Sequence, residues 1–379
     1  MSLENLRILV TGAGGFIGMN LVARLRELPD ITVSTMVRDD PVHMLPHRVA
    51  EVDAVVHLAG ANRPEDNSDF MRVNAGLTSE LCGAIQGEFY RTGRRVTLLL
   101  ASSTQATQDN PYGQSKLAAE RALQALALAT GNPCVIFRLP GVFGKWCRPN
   151  YNSVVATFCY NAARALPLRI NNPATTLPLV YIDDVISAII GKLRMAEPGC
   201  SSAQVEPIYN ISLGELAKQI LEFANSRTSL VTERVGSGLT RALYATYLTY
   251  LPSDKFAYVV EQHRDSRGVF VEMLKTKDSG QLSYFTAHPG ITRGGHYHHT
   301  KSEKFLVVKG DALFRFRNIV TNELVEFRAG GAYPRVVDTI PGWSHDITNV
   351  GTEELVVMLW ANENFDRARP DTVASKVAS

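Results

Sequence analysis

The stretch LVTGAGGFIG, residues 9–18, passes from an apolar run into a helical pattern and carries glycines at positions 12, 15 and 18. Glycines at this spacing let the backbone turn tightly and approach a pyrophosphate, whose charge is favoured by the N–H groups at the start of the helix. The stretch therefore predicts a dinucleotide-binding turn between a buried strand and a helix. A turn that serves only packing is the alternative.

The residues after this turn continue the alternation to about residue 190. Short apolar runs such as AVVHLAG (54–60) and VTLLLAS (96–102) are typical of buried strands, and QSKLAAERALQALALAT (114–130) is typical of a helix. Such alternation predicts a doubly wound parallel sheet, that is, an α/β Rossmann-type fold.

A different pattern begins after about residue 240. Short alternating runs separated by glycine and proline, such as GVFVEMLKT (268–276), QLSYFTA (281–287) and ALFRFRNI (312–319), predict an antiparallel all-β barrel or sandwich. A chain of 379 residues is also too long for one ordinary core. We therefore predict two domains, residues 1–245 and 246–379.

Composition excludes several classes of partner. The formal net charge is +2 with acids and bases interspersed, so no basic face indicates nucleic acid. The five cysteines form no C-x-x-C pair and are expected to be free thiols in a reducing compartment. No secretory signal or apolar run of about 18 residues occurs, so we expect a cytoplasmic protein that does not enter the membrane.

Arg38 follows the second predicted strand, where an acidic residue would bind the ribose 2′-hydroxyl of NADH. A guanidinium there suits a 2′-phosphate and favours NADPH. Because Asp39 and Asp40 follow directly, the alternative is that Arg38 only ends the strand.

Tyr112 and Lys116 are four residues apart at the start of a predicted helix, so both project from one face. A nearby ammonium is expected to lower the pKa of the phenol, which suits a proton donor near neutral pH. The preceding strand ends in the hydroxyls of Ser102, Ser103 and Thr104, one of which can hydrogen-bond a substrate oxygen.

These motifs, with HLAG (57–60), Asn74, RLPGVFG (138–144) and LVYIDDV (179–185), resemble the extended short-chain dehydrogenase/reductase family over roughly residues 5–235. The resemblance implies that Tyr112 is the catalytic acid/base, that Lys116 orients the nicotinamide ribose and that Thr104 is the hydroxyl partner, with Ser103 as the alternative. The implied cofactor-binding residues are Gly12, Gly15, Phe16, Ile17, Gly18, Arg38, Leu58, Ala59, Gly60, Asn74, Tyr112 and Lys116.

Histidines concentrate in the second half of the chain. His296 and His298 are two apart and therefore share one face of a strand, Glu303 follows, and His345 lies in a later segment. Three imidazoles and a carboxylate suit zinc, with manganese, nickel and iron as alternatives. Strand alternation turns His299 to the opposite face, so we leave it out of the ligand set. Histidines paired inside a barrel without a metal are the other interpretation.

Spacings from Gly290 to Gly310 and from Gly342 to Asn349 resemble the two motifs of the cupin family over about residues 255–365. In the second motif the proline is displaced, since Pro341 directly precedes Gly342. RDSRGVFVEMLKT (264–276) and GITRGGHYH (290–298) also resemble the branch of cupins that epimerises 4-keto sugars. That branch leaves open whether His296 and His298 move a proton instead of binding a metal, or as well as binding it.

The whole chain resembles the CapF family, through ATQDNPYGQSKL (106–117), FGKWCRPNYNSVVATFCY (143–160), YLTYLP (247–252) and HHTKSEKFLVV (298–308). The resemblance implies C3 epimerisation of a UDP-activated 4-keto amino sugar, UDP-2-acetamido-2,6-dideoxy-L-4-hexulose, in the cupin domain. NADPH then reduces C4 to UDP-N-acetyl-L-talosamine, on the way to UDP-N-acetyl-L-fucosamine for capsule or O-antigen. By analogy with cupins that pair through edge strands, we expect a homodimer.

Two other functions fit part of the pattern. In one, only the reductase works and the barrel has a structural or dimerising role. In the other, the protein is a sensor that binds NADPH and a sugar without catalysis. The intact Tyr112 and Lys116 argue against the sensor, and the complete first cupin motif argues against a purely structural barrel.

Overall fold

The computed structural model describes residues 5–260, 263–265, 268–270, 274–276, 281–363 and 368–377. The chain divides into two compact units: Met1–Ser153 with Leu177–Asn210 form the first, and Val154–Thr176 with Ile211–Ser379 form the second. The domain boundary between residues 245 and 246 stays a prediction. Within the described residues, no helix has the length and apolar character that crossing a bilayer requires.

Eight α-helices occur in the described residues, together with single turns of 3-10 helix and a π-helical segment at Phe70–Gly76. The helices are α1 Phe16–Leu25, α2 Leu45–Ala50, α3 Leu77–Thr92, α4 Pro111–Thr130, α5 Val154–Ala163, α6 Ile182–Met195, α7 Leu213–Ser229 and α8 Gly238–Leu248. The strands of the N-terminal part are β1 Leu6–Thr11, β2 Ile31–Met36, β3 Ala54–His57, β4 Thr97–Ser103, β5 Pro133–Leu139, β6 Gly141–Phe143, β7 Thr176–Tyr181, β8 Gly199–Ala203, β9 Tyr209–Ser212 and β10 Val231–Thr232. The later strands are β11 Ala257–Val259, β12 His263–Asp265, β13 Gly268–Phe270, β14 Lys275–Thr276, β15 Gln281–Ala287, β16 Thr292–Tyr297, β17 Glu303–Lys309, β18 Asp311–Asn318, β19 Leu324–Gly330, β20 Arg335–Asp338, β21 Trp343–Asn349, β22 Leu355–Ala361 and β23 Val373–Ala374.

The first unit contains a six-stranded parallel sheet in the order β2-β1-β3-β4-β5-β8. The direction of chain progression reverses between β1 and β3, and ligands of open α/β sheets bind at such a switch point. Strand residues such as Leu9, Val55 and Leu98 are fully buried and pack with Leu81 of α3 and Leu123 of α4. The Rossmann-type prediction is confirmed.

The second unit contains two five-stranded antiparallel sheets, β11-β20-β17-β22-β15 and β19-β18-β21-β16-β23. Phe305 of β17 and Phe314 of β18 bring their ring centroids to 6.0 Å, so the two sheets meet through apolar side chains. This architecture confirms an all-β, cupin-like domain. The predicted strand over residues 268–276 lies partly outside the described residues, and β13 and β14 are its described ends.

A buried ionic network joins α7 to this β structure. Asp338 of β20 accepts hydrogen bonds from Lys304, at 2.6 Å, and from Arg227 of α7. Both cations also lie over the ring of Tyr258. Because Lys304 and Asp338 are almost completely buried, removing one partner would leave an uncompensated charge inside the protein. The network therefore fixes α7 within the second unit.

Candidate active site and metal centre

The predicted dinucleotide turn is formed where β1 ends and α1 begins. Gly12 has φ +70, and a Cβ atom added there would lie 2.5 Å from the Ala59 nitrogen. A Cβ atom on Gly18 would lie 2.2 Å from the Gly12 carbonyl oxygen. Only glycine fits either position, and the turn consequently packs directly against the end of β3. Gly15 is the N-cap of α1 and has no side chain to cap it, so the first N–H groups of the helix are available to an anion.

A buried chain of hydrogen bonds lies behind this turn. The Thr78 hydroxyl donates to the Asn74 carbonyl at 2.6 Å and therefore accepts from Nε2 of His57 at 3.0 Å. Nδ1 of His57 then accepts from the Thr11 hydroxyl at 2.6 Å. Burial lowers the pKa of His57 to about 3, so the imidazole is neutral. These hydrogen bonds connect the end of β1 to the segment that carries Asn74.

The side chain of Asn74 is satisfied inside the protein. Its oxygen accepts from the Ala61 N–H at 2.8 Å, and its amide donates to the Ala61 carbonyl and to the Ser115 hydroxyl. A Cβ atom on Gly60 would lie 2.8 Å from the Asn74 oxygen and 3.3 Å from Nζ of Lys116. Asn74 thus holds the loop after β3 against the start of α4. Its predicted contact with a cofactor stays a prediction, as do those of Phe16, Ile17, Leu58 and Ala59.

Ser103, Tyr112 and Lys116 form a cluster at the carboxyl end of β4, which we call the Tyr112 cluster. Asn110 caps α4 by accepting from the Gly113 N–H at 2.8 Å, and this cap places Tyr112 in the first helical turn. Burial raises the pKa of Tyr112, and a hydrogen bond with the Ser103 side chain opposes that rise. The expected lowering of the tyrosine pKa is therefore wrong for this structure, because desolvation of the phenol outweighs its partners.

Lys116 is buried, and its ammonium donates to the Ala101 carbonyl at 3.1 Å. Burial lowers the pKa of Lys116 to about 8, and the Glu120 carboxylate opposes that change. Nζ lies 5.9 Å from the centre of the Tyr112 ring. At neutral pH this places a positive charge beside the phenol.

Sequence analysis did not identify Glu120, which is four residues after Lys116 and therefore on the same face of α4. Its carboxylate is almost fully buried and accepts from the Ser102 hydroxyl at 2.5 Å and from Arg138 at 2.6 Å. Glu120 thereby anchors the end of β4, next to Ser103. The i, i+4 spacing was the signal available in the sequence.

The two candidate hydroxyl partners differ in burial. Ser103 is buried against Tyr112, whereas Thr104 is exposed at the start of a 3-10 turn. We expect Ser103→Ala to lower kcat for ketone reduction about 10²-fold, as loss of a donor to a developing oxyanion does. Thr104→Ala should stay close to wild type. Rates of NADPH oxidation measure both variants, and the opposite ranking would restore Thr104 to the role.

Arg38 lies exposed in the turn that follows β2. The neighbouring Asp40 carboxylate accepts the Val37 N–H at 2.7 Å and is thus engaged in closing the turn. Asp40, one of the two acids that made the NADPH prediction ambiguous, therefore has a structural role, and the Arg38 side chain is exposed.

The four predicted metal ligands come together in the second unit. Donor atoms of His296, His298, Glu303 and His345, called here the four-ligand group, all lie within 4.8 Å of one another. His296 is on β16 and His345 on the neighbouring β21, while Glu303 begins β17 of the other sheet. The group thus lies between the two sheets.

A bulge at two glycines aims His296 into the group. Gly294 and Gly295 have φ values of +101 and +72, which other residues rarely adopt, and the pairing of β16 with β21 shifts register between Gly294 and His296. A Cβ atom on Gly294 would also lie 2.8 Å from the His345 carbonyl oxygen. His299 lies outside the group, as predicted, and its ring contacts that of Tyr297 at 5.5 Å. Because β16 ends at Tyr297, its position is set by the loop after the strand and not by strand alternation.

Hydrogen bonds of the imidazoles direct their Nε2 atoms towards Glu303. Nδ1 of His298 donates a hydrogen bond to the main-chain oxygen of Asp371. Nδ1 of His345 lies 3.4 Å from the main-chain oxygen of Trp343. Their Nε2 atoms lie 3.2 and 3.6 Å from one Glu303 oxygen. The other Glu303 oxygen forms a salt bridge with Nζ of Lys301 at 2.8 Å. Backbone acceptors that orient imidazoles in this way are common around metals.

The electrostatics of the group suit a cation. Nε2 of His345 is buried and has no hydrogen-bond partner among the described residues. Burial and the neighbouring imidazoles lower the pKa of His296 to about 4, so one ring nitrogen has an available lone pair at neutral pH. The two buried imidazoles and Lys301 hold the pKa of Glu303 well below its usual range despite burial. Three imidazoles and a carboxylate therefore fit a divalent metal such as zinc.

Family models match both parts of the chain. The NAD dependent epimerase/dehydratase family matches residues 8–211. This range includes the glycine turn and the Tyr112 cluster. The polysaccharide biosynthesis C-terminal domain matches residues 263–373, and this range includes the four-ligand group.

Known proteins are similar to the whole chain or to part of it. The chain is 56% identical over 98% of its length to the UDP-2-acetamido-2,6-beta-L-arabino-hexul-4-ose reductase of Pseudomonas aeruginosa, of which it covers 99%. The capsular polysaccharide assembling protein CapF of Staphylococcus aureus is 40% identical, with a TM-score of 0.66 over 98% of this chain and 100% of that chain. The Bordetella bronchiseptica enzyme WbmF, in complex with NAD+, shares the fold of 59% of this chain at 22% identity, with a TM-score of 0.53 over 80% of that chain. The chain therefore belongs to the NAD-dependent epimerase/dehydratase family, as a CapF-like capsular polysaccharide enzyme with a polysaccharide biosynthesis C-terminal domain.

Proposed function

We propose that the chain is a bifunctional nucleotide-sugar enzyme that epimerises C3 of UDP-2-acetamido-2,6-dideoxy-L-4-hexulose and then reduces its C4 ketone with NADPH. The product is UDP-N-acetyl-L-talosamine. One observation carries the proposal: the same chain assembles the Tyr112 cluster and, in its second unit, the four-ligand group. The name of the Pseudomonas relative supports a 4-keto sugar as the substrate.

The second unit is assigned the epimerisation. A ketone at C4 acidifies the proton on C3, because the carbanion left by its removal is an enolate that nearby positive charge stabilises. A divalent metal, most simply zinc, supplies such charge when it is bound. Within the four-ligand group only His296 is partly exposed, so it is the member that a sugar can reach. Nδ1 of His298 is held by the Asp371 main-chain oxygen and Nε2 faces the Glu303 carboxylate, so the role of His298 is to bind the metal.

The first unit is assigned the reduction. NADPH, when bound, would supply the hydride for C4. The Tyr112 hydroxyl would deliver a proton to the developing alkoxide, and Ser103 would donate a hydrogen bond to the same oxygen. The Lys116 ammonium beside Tyr112 favours the phenolate that remains. Reduction removes the C4 ketone, so the C3 proton is no longer acidic. Epimerisation must therefore come first, and reduction makes it irreversible.

A single specific observation favours the alternative, a monofunctional reductase with a structural metal site. The donor atoms of His298, His345 and Glu303 are buried, as they are in closed structural zinc sites. The homodimer expected from the cupin resemblance stays a prediction.

Analysis of the product separates the two functions. Purified protein is supplied with the UDP-4-keto sugar and either NADPH or NADH at equal concentration, and the configuration at C3 and C4 is determined by NMR. We expect inverted C3, reduced C4 and a faster reaction with NADPH, because the exposed Arg38 can meet a 2′-phosphate. A reduced product that keeps its original C3 configuration would establish the monofunctional alternative. A faster reaction with NADH would remove Arg38 from the cofactor site.

A further inference from the structure

Asp371 makes an unusual number of contacts with the loop that carries the metal ligands. Its carboxylate accepts the main-chain N–H of His299 at 2.9 Å, of Thr300 at 2.6 Å and of Lys301 at 2.7 Å. The Thr300 hydroxyl adds a fourth hydrogen bond at 2.9 Å. Three successive N–H groups around one carboxylate form an anion-binding turn that an aspartate of the same chain fills.

The main chain of the same residue holds a metal ligand. The carbonyl oxygen of Asp371 accepts a hydrogen bond from Nδ1 of His298. This bond places the proton on Nδ1 and leaves the lone pair of Nε2 directed at Glu303. Asp371 therefore fixes the ring of His298 through its backbone and the loop after His298 through its side chain.

The loop also presents Lys301 to the metal centre. Lys301 lies 2.8 Å from the Glu303 oxygen that does not face His298 and His345. Because the Lys301 N–H is bound to Asp371, displacement of Asp371 would loosen this contact as well.

We propose that Asp371 is a positioning residue of the metal centre, which keeps His298 and Lys301 in the geometry that favours a bound divalent cation. The inference rests on the proposed metal site and deepens it. Partners that orient metal-bound histidines contribute about 10- to 100-fold to metal affinity, and we expect a loss of that size when Asp371 is removed.

The test is a titration of metal-free protein with zinc against a chromophoric chelator. Asp371→Ala is expected to bind zinc about 10- to 100-fold more weakly than wild type. Asp371→Asn should also weaken binding, because its NH2 group faces N–H donors, and it serves if the alanine variant does not fold. The matched control is Thr372→Ala, which alters the adjacent residue and should bind as wild type does.

Chemical rescue distinguishes positioning from general support of the fold. Asp371→Ala leaves the N–H groups of residues 299–301 without their carboxylate, and added acetate should restore part of the zinc affinity. Wild-type affinity in both Asp371 variants, with a lowered melting temperature, would overturn the proposal and make Asp371 a structural strap. A wild-type protein that binds no zinc would overturn the metal centre itself, so the two failures are distinct.

Discussion

Tyr112→Phe is expected to lower the rate of NADPH oxidation by the 4-keto sugar about 10²- to 10⁴-fold, the usual contribution of a positioned proton donor. The substitution removes one oxygen and keeps the aromatic contact with Phe70, whose ring centre lies 5.6 Å away. Lys116 and Ser103 remain, but neither is placed by the family resemblance to protonate O4. Measurement of kcat and KM by absorbance should show the loss in kcat.

The control for Tyr112→Phe is the C3 epimerisation, measured as exchange of the C3 proton with solvent. Tyr112 belongs to the first unit and the four-ligand group to the second, so C3 exchange with solvent should continue in Tyr112→Phe. Loss of both reactions at an unchanged melting temperature would mean that the two sites do not work independently. A variant that still oxidises NADPH at the wild-type rate would remove Tyr112 from the mechanism.

His345→Ala should have the second large effect, on metal and epimerisation together. His345 is buried, and its Nε2 atom has no hydrogen-bond partner among the described residues, so a cation is the partner that fits it. We expect zinc affinity to fall by more than about 100-fold, since even indirect partners contribute 10- to 100-fold. C3 exchange should be lost with the metal. Metal analysis of the purified variant and NMR of the sugar measure the two effects.

His299→Ala is the matched control, because His299 is adjacent in sequence to His298 but lies outside the four-ligand group. The reductase of His345→Ala is tested by adding Tyr112→Phe protein, which supplies the epimerised ketone, and NADPH oxidation should then resume. Continued C3 exchange in His345→Ala, accompanied by a lower melting temperature, would instead assign the metal a structural role.

The sequence was sufficient for the features that depend on local pattern. Apolar runs that alternate with long helices predicted the parallel sheet, because a crossover helix must separate parallel strands. Most of the four-ligand group was predictable as a cluster, since His296, His298 and Glu303 lie within eight residues, while metal binding by the group stays a prediction.

The features that sequence analysis missed depend on tertiary contacts. Asp371 is about seventy residues away from the loop that it holds, and no local pattern connects them. The different burial of Ser103 and Thr104 depends on where β4 ends, a detail of one residue that composition does not determine, and the choice between the two hydroxyls stays a prediction. The direction of the Tyr112 pKa depended on how deeply the phenol is buried.

The central claim is that the second unit epimerises C3 before the first unit reduces C4. It is tested most directly by incubating the wild-type protein with the UDP-4-keto sugar in heavy water, without NADPH, and measuring deuterium at C3 by NMR and mass spectrometry. We expect deuterium to enter C3 without any cofactor, and reduction with NADPH should then convert the labelled sugar to the alcohol. Deuterium that appears only when NADPH is present, or that never appears, would contradict it.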